Sequence, residues 1–367
     1  MVKGRSRTGV PAAALAVLAV AAAGAAGCSD GAGAAPKIKT TARAGVAPTP
    51  PRQGAYFGAW VPPDGPVSSP TSTRPSGGTS PSKPSGENGG TGGKDAGKPG
   101  MGPVVGFERD LGRQLDIVQS YRGWKADFPT EDDESVLSGN RYLLLTWTGA
   151  DTKEIAKGRH DGLIRARARA IKATGKPVFL RWQRDMDKGN LEKKVHSPDD
   201  FVTAWKHIRG IFKAEKVDNV AWVWCPTARG FGGRNAPAYY PGDDQVDWIC
   251  ADAQPGGDYD YRDLSESVKL FLQWARSRPK PIMIAEFGVP KAYGARRAEW
   301  LRKASQTLQD PQVKAVVYFN SDEQAEDARD KRRRFTVGGD KHAVSALREF
   351  ATTPYFNPRN LPVTSGD

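Results

Sequence analysis

Pro177-Val-Phe-Leu-Arg-Trp-Gln-Arg-Asp-Met-Asp187 and Pro281-Ile-Met-Ile-Ala-Glu-Phe-Gly288 are two apolar runs, each opened by a proline and each delivering a carboxylate at its C-terminal end. Runs of this length bounded by turn residues read as buried strands. Asp185 and Glu286 lie about a hundred residues apart, and a closed parallel sheet with functional residues at its strand C-termini brings such positions together. Two carboxylates meeting there point to glycosidic-bond chemistry.

Working outward, further strands are predicted at Tyr56 to Trp60, Ile117 to Tyr121, Tyr142 to Trp147, Val220 to Cys225, Val246 to Asp252 and Ala315 to Phe319. With Val178 to Asp185 and Ile282 to Glu286 they make eight. Helical periodicity alternates with them at Arg159 to Ala173, after the cap Ser197-Pro-Asp-Asp200, and at Leu264 to Ala275, Arg296 to Leu308 and His342 to Phe350. The fold class expected is therefore α/β, a (β/α)8 barrel, and about 260 residues beyond the linker match its usual length of about 250. An open doubly wound sheet would normally carry a Gly-rich phosphate turn after its first strand, and Gly54 to Val61 has no such pattern.

Residues 1–27 carry Lys3, Arg5 and Arg7, an Ala/Val/Leu core, and Ala25-Ala26-Gly27 directly before Cys28. These are the parts of an export signal. Small residues abutting a cysteine resemble a bacterial lipoprotein box, which implies lipidation at Cys28 and a chain held on the outer face of the cytoplasmic membrane by that anchor. Residues 28–53 read as a flexible tether, 54–61 as the first barrel strand, 62–103 as a Gly/Pro/Ser-rich insertion, 104–356 as the rest of the barrel and 357–367 as a tail.

The formal charge is +13, and losing the three signal cations leaves +10. The Lys/Arg residues are scattered, with Lys331-Arg-Arg-Arg334 the one run, so an anionic envelope surface fits better than nucleic acid, and a monomer is expected. Cys225 and Cys250 both fall in apolar strand candidates; export permits a disulfide, but two buried thiols on neighbouring strands are the commoner arrangement. The four histidines are dispersed, no metal-ligand spacing occurs, and no cofactor is implied for chemistry that needs only carboxylates and water.

Within the two decisive runs, alternation puts Ile282, Ile284 and Glu286 on one face, read as the barrel interior, and Arg181, Gln183 and Asp185 on another. Arg184 is placed on the face opposite Asp185. Arg181 would lie below the mouth, hydrogen-bond a neighbouring carboxylate and help to bind substrate. Asp252, ending the sixth strand, could bond a substrate hydroxyl or cap the next helix. Trp147, Trp224 and Tyr318 rank first as ring faces for a sugar, ahead of Trp60, Trp124 and Trp182, although each taken alone is more readily core.

Val178 to Asp187, Phe201-Val-Thr-Ala-Trp-Lys-His-Ile-Arg209, Asn219-Val-Ala-Trp-Val-Trp-Cys-Pro226, Tyr240-Pro-Gly-Asp-Asp-Gln-Val-Asp-Trp-Ile249 and Pro281 to Gly288 together resemble glycoside hydrolase family 26, the β-mannanase-type barrels. The resemblance covers most of Gly54 to Asn320. It implies a retaining hydrolase of a β-linked polysaccharide, mannan by family default, with Glu286 as nucleophile and Asp185 at the acid/base position. Asp185 stands where the family has glutamate, Arg184 where it has histidine, Thr227 where asparagine follows the proline, and Gln254 where the sixth strand gives tyrosine. The shorter carboxylate withdraws the acid by on the order of 1.5 Å, enough to slow catalysis. The alternative reading is a catalytically impaired glycan-binding lipoprotein on the same barrel.

Overall fold

The β-branched and aromatic runs form the strands expected of them. In the computed structural model, which describes residues 37–63, 100–255, 261–322 and 330–363, they are β1 Tyr56–Trp60, β2 Ile117–Gly123, β3 Tyr142–Thr148, β4 Val178–Trp182, β5 Val220–Trp224, β6 Trp248–Asp252, β7 Ile282–Phe287 and β8 Val313–Phe319. All pair in parallel in chain order, and β8 closes onto β1 with Tyr56 opposite Ala315 through Trp60 opposite Phe319. The result is the (β/α)8 barrel. The export signal at 1–27, Cys28 and most of the 62–103 insertion lie outside the described residues; Met101, assigned to the end of that insertion, instead opens a helix, Met101–Leu111.

Alternation sorts each strand into two cores. Inward go Tyr56, Ile117, Leu144, Phe179, Ala221, Val223, Cys225, Trp248, Cys250, Met283, Ala285, Ala315 and Val317. Outward, against the helices, go residues such as Leu145, Leu180, Trp222, Ile249, Ile282, Ile284 and Val316. The helices present matching stripes: Pro198–Ala214, capped by the Ser197 hydroxyl accepting from the Asp200 amide, buries Phe201, Ala204, Trp205, Ile208, Ile211 and Phe212. Cys225 and Cys250 are joined as a disulfide linking β5 to β6 inside the barrel, where two thiols had been the commoner expectation.

Part of the stretch read as a flexible tether is docked. The Lys39 amide donates to the Pro279 carbonyl at 2.6 Å, the Thr41 amide to Asp247 at 3.0 Å, and the Trp248 indole to the Pro48 carbonyl at 3.4 Å. Residues from 37 to 53 thus lie across the N-terminal ends of the strands, and Ala42 packs against the interior core. Composition concealed this because the segment is held by backbone bonds to Asp247 and its neighbours and contributes few large apolar side chains.

Gly58 sits where β1 meets β2. A β-carbon there would lie 2.6 Å from both Cβ and the carbonyl oxygen of Ile117, closer than packed atoms come. Gly58→Ala is therefore expected to cost about 1–3 kcal/mol through overpacking. Urea unfolding measures this; a midpoint unchanged from wild type would show that the strands separate freely at that point.

Candidate functional site

Strand β4 stops at Trp182, short of the expected Asp185, because Gln183 and then Asp185 take left-handed backbone angles, φ 46° and 57°. Non-glycine residues occupy that region rarely and at a cost of about 1–3 kcal/mol each, which the surroundings must offset. Glu286, inside β7, does the same at φ 51°, and the β7–β8 register shifts between Ile284 and Phe287. Simple alternation would send Glu286 outward with Ile282 and Ile284, which pack against the helices rather than in the barrel interior as expected. The irregularity turns its side chain back into the mouth, the usual effect of a bulge beside a functional site.

Three carboxylates line one cavity of about 630 Å³ at the C-terminal ends of the strands: Asp185, Asp252 and Glu286. Beneath them Arg181, fully buried, donates from Nη2 to Glu286 Oε1 at 2.6 Å, from Nη1 to Asp252 Oδ1 at 2.7 Å and from Nε to Thr146 Oγ1 at 2.9 Å. The Tyr121 hydroxyl donates to the same Glu286 Oε1 at 2.6 Å and the Gln119 amide at 3.3 Å. Glu286 is thereby one-sided. Oε1 collects the donors, while no donor among the described residues reaches Oε2.

The electrostatics follow from this geometry. Burial pushes the Glu286 carboxyl up, but the Arg184 and Arg181 guanidiniums and the Tyr121 hydrogen bond outweigh it and hold its pKa down at about 2. Asp252 goes the other way: burial dominates, Arg181 only partly compensates, and the charges of Glu286 and Asp185 add to the shift, so its carboxyl keeps a proton well above the usual range. Its Oδ2 is buried without a partner. Tyr121 is also raised, by burial and by Glu286, and stays a donor.

Arg184 does not face away from Asp185 as alternation required. With the strand already ended, its guanidinium turns inward, donating from Nη1 to Asp185 Oδ2 and standing 3.4 Å from Glu286 Oε1 through Nε. Lys188 donates to the same Asp185 oxygen at 2.6 Å, leaving Asp185 Oδ1 buried and without a partner. One guanidinium touching both carboxylates keeps them within the ~9.5 Å limit of glycosidase pairs.

The aromatic expectation is overturned. Trp147, Trp224 and Tyr318 are 3%, 0% and 0% exposed, and all three point outward into the layer between strands and helices. Trp147 stacks on Trp124, the Trp224 indole donates to the Tyr239 carbonyl, and the Tyr318 hydroxyl donates to the Phe335 carbonyl. Their parity was readable, since Leu144 and Thr146 of β3 face inward and Trp147 between them and Thr148 cannot. Arg181, expected to touch substrate, is sealed under the carboxylates and instead orders them. Tyr121 and Gln119 were missed, although Ile117, Gln119 and Tyr121 form one inward file ending at the mouth.

No family model matches the chain. It is 26% identical over 281 residues to endoglucanase H of Acetivibrio thermocellus, covering 71% of this chain and 30% of that protein, and 27% identical over 201 residues to the β-1,3-xylanase TXYA of a Vibrio species, covering 47% and 41%. These relatives are glycoside hydrolases. The chain spans less than half the length of either. Its fold is that of the family 26 mannanases: the catalytic domain of the Bacillus sp. JAMB-750 endo-β-1,4-mannanase aligns with TM-score 0.55 and 14% identity over 82% of this chain and 86% of that one. A β-mannanase from a protist symbiont of the termite Reticulitermes speratus, complexed with a gluco-manno-oligosaccharide, aligns with TM-score 0.53 and 12% identity over 89% and 99%.

Proposed function

We propose that this chain hydrolyses a β-linked polysaccharide by a retaining double displacement. The observation that carries this is the sidedness of Glu286: an ionised carboxylate at a barrel mouth, fixed through Oε1 by Arg181, Tyr121 and Gln119, with Oε2 left for the substrate. Oε2 attacks the anomeric carbon as the glycosidic oxygen leaves, and water then releases the sugar from the covalent intermediate. Asp185 takes the acid/base position, its unpartnered Oδ1 being the atom for proton transfer. Asp252, holding a proton, offers a donor for a sugar hydroxyl.

A second reading, glycan binding without turnover, is favoured by one observation: Arg184 and Lys188 both hold Asp185 through the same oxygen. Reducing-sugar release from β-mannan, β-glucan and β-1,3-xylan separates the two, with proton NMR of the first-formed anomer reading the stereochemistry. Release with retained β configuration is expected. Release with inversion would remove Glu286 from the nucleophile's role, and no release from any of them would leave the binding protein. Export and lipid anchoring at Cys28 belong to the same proposal, and place the substrate outside the cytoplasmic membrane.

A further inference from the structure

The described walls of the cavity offer cations rather than exposed rings. Sites for uncharged saccharides rely on exposed ring faces, and among the described residues the one aromatic side chain in the lining, Phe335, is 1% exposed. What lines the walls is cationic: Lys188 from the loop after β4, Arg229 and Arg234 after β5, and Arg333 after β8. Of the floor carboxylates, Asp185 and Glu286 are already matched from within the protein by Arg181, Arg184 and Lys188, and Asp252 keeps its proton. Arg234 therefore adds positive charge to a wall whose described carboxylates already have cations of their own.

Arg229 is carried on a built support, and just beyond it the Arg234 amide donates to the Gly230 carbonyl at 3.2 Å. The Asp187 carboxylate accepts from the Thr227 amide at 2.8 Å and from its hydroxyl at 2.5 Å, and Thr227 Oγ1 accepts from the Gly230 amide at 3.0 Å. Gly230 is pressed so close that a β-carbon would lie 2.3 Å from Asp187 Oδ2. This ties the arginine-bearing turn Ala228–Gly232 to the loop that presents Asp185. Arg229 and Arg333 have other contacts, Arg333 standing 3.8 Å from Asp330, and it is their position on the wall that matters. Arg234 is exposed and its side chain has no partner among the described residues.

We infer that the cavity takes an acidic saccharide, a β-linked glycan bearing an oxyanion on the sugar next to the scissile bond, with Arg234 as a charge-reading residue. Guanidinium forks match carboxylates and sulfates in two parallel hydrogen bonds, which an uncharged hydroxymethyl group cannot use. This rests on the glycan-directed reading above but names the substrate class within it.

The test uses β-1,4-linked pentasaccharides of mannose and of mannuronate, which differ only in the C6 carboxylate, and a 6-O-sulfated mannose pentamer. Calorimetric Kd values are taken with the Glu286→Gln chain and with Glu286→Gln/Arg234→Ala, and kcat/KM with wild type and Arg234→Ala. The mannuronate chain is expected to bind about tenfold tighter than the neutral one at low salt, with Arg234→Ala removing most of that gain and changing neutral binding less than about twofold. An equal gain with the sulfated chain supports recognition of either oxyanion; a gain with mannuronate alone narrows the recognised group to the carboxylate. Equal or tighter binding of the neutral chain, or an equal effect of Arg234→Ala on both, overturns the inference. If that occurs while wild type hydrolyses neutral glycan, the hydrolase reading stands; an acidic preference in a chain that hydrolyses nothing would do the reverse.

Discussion

Glu286→Gln is expected to lower kcat/KM by on the order of 10⁴-fold or more, the scale seen when the attacking group of a covalent mechanism is removed. The amide fills the same volume but cannot form the glycosyl-enzyme bond. Its fold effect should be smaller than its catalytic effect, because Tyr121 and Gln119 still find an oxygen acceptor at that position while Arg181 keeps Asp252. The pH dependence adds a second check. Glu286 titrates near pH 2 in the folded chain against an ordinary 4.5, so the stability it contributes is fully present above 4.5 and is lost as pH falls toward 2. The stability gap between wild type and Glu286→Gln should therefore narrow on acidification. A variant keeping more than about one hundredth of wild-type kcat/KM would remove Glu286 from the nucleophile's role.

The barrel was legible because its signals are redundant. Eight apolar runs with the right spacing leave few ways to bury them, and Leu264–Ala275 appears with the bounds its periodicity gives. The helix Glu131–Ser138 was equally legible but unread: Thr130 and Asp133 form a reciprocal capping box. At the site, Asp185 and Glu286 were found through their positions at strand ends, yet alternation gave the wrong facing for Arg184 and for Ile282 and Ile284. Period-two reasoning holds only while the backbone stays extended, and left-handed angles at Gln183, Asp185 and Glu286 end it where the chemistry begins. No residue type at those positions announces such angles. The wall cations were hidden differently, scattered over three loops that only the closed barrel brings together.

Arg181→Met is expected to be the most destabilising of the single changes considered, by about 3–5 kcal/mol, because it breaks a buried ion-pair network from one side. The guanidinium is wholly enclosed, and its three nitrogens are shared among Glu286, Asp252 and Thr146. Methionine restores packing volume but leaves Glu286 ionised in a cavity floor with Arg184 as its nearest remaining cation. Arg181→Lys should recover only part of the loss, since one ammonium cannot reach three partners held in a fixed fork. The pH dependence fixes the sign. Arg181 stabilises the charged form of Glu286, so the cost of Arg181→Met is largest above the unfolded carboxyl's 4.5 and shrinks as pH falls through the acid range, where the orphaned carboxylate is relieved by a proton. Asp252, which already favours its proton, adds little to that slope. Urea unfolding at pH 7 and at pH 4 measures both quantities. A loss below about 1 kcal/mol at pH 7, or one that does not shrink in acid, would mean that Arg184 alone suffices to hold Glu286 ionised. Arg181 would then be a filler of space beneath the site, and the one-sided presentation of Glu286 would rest on Tyr121 and Gln119.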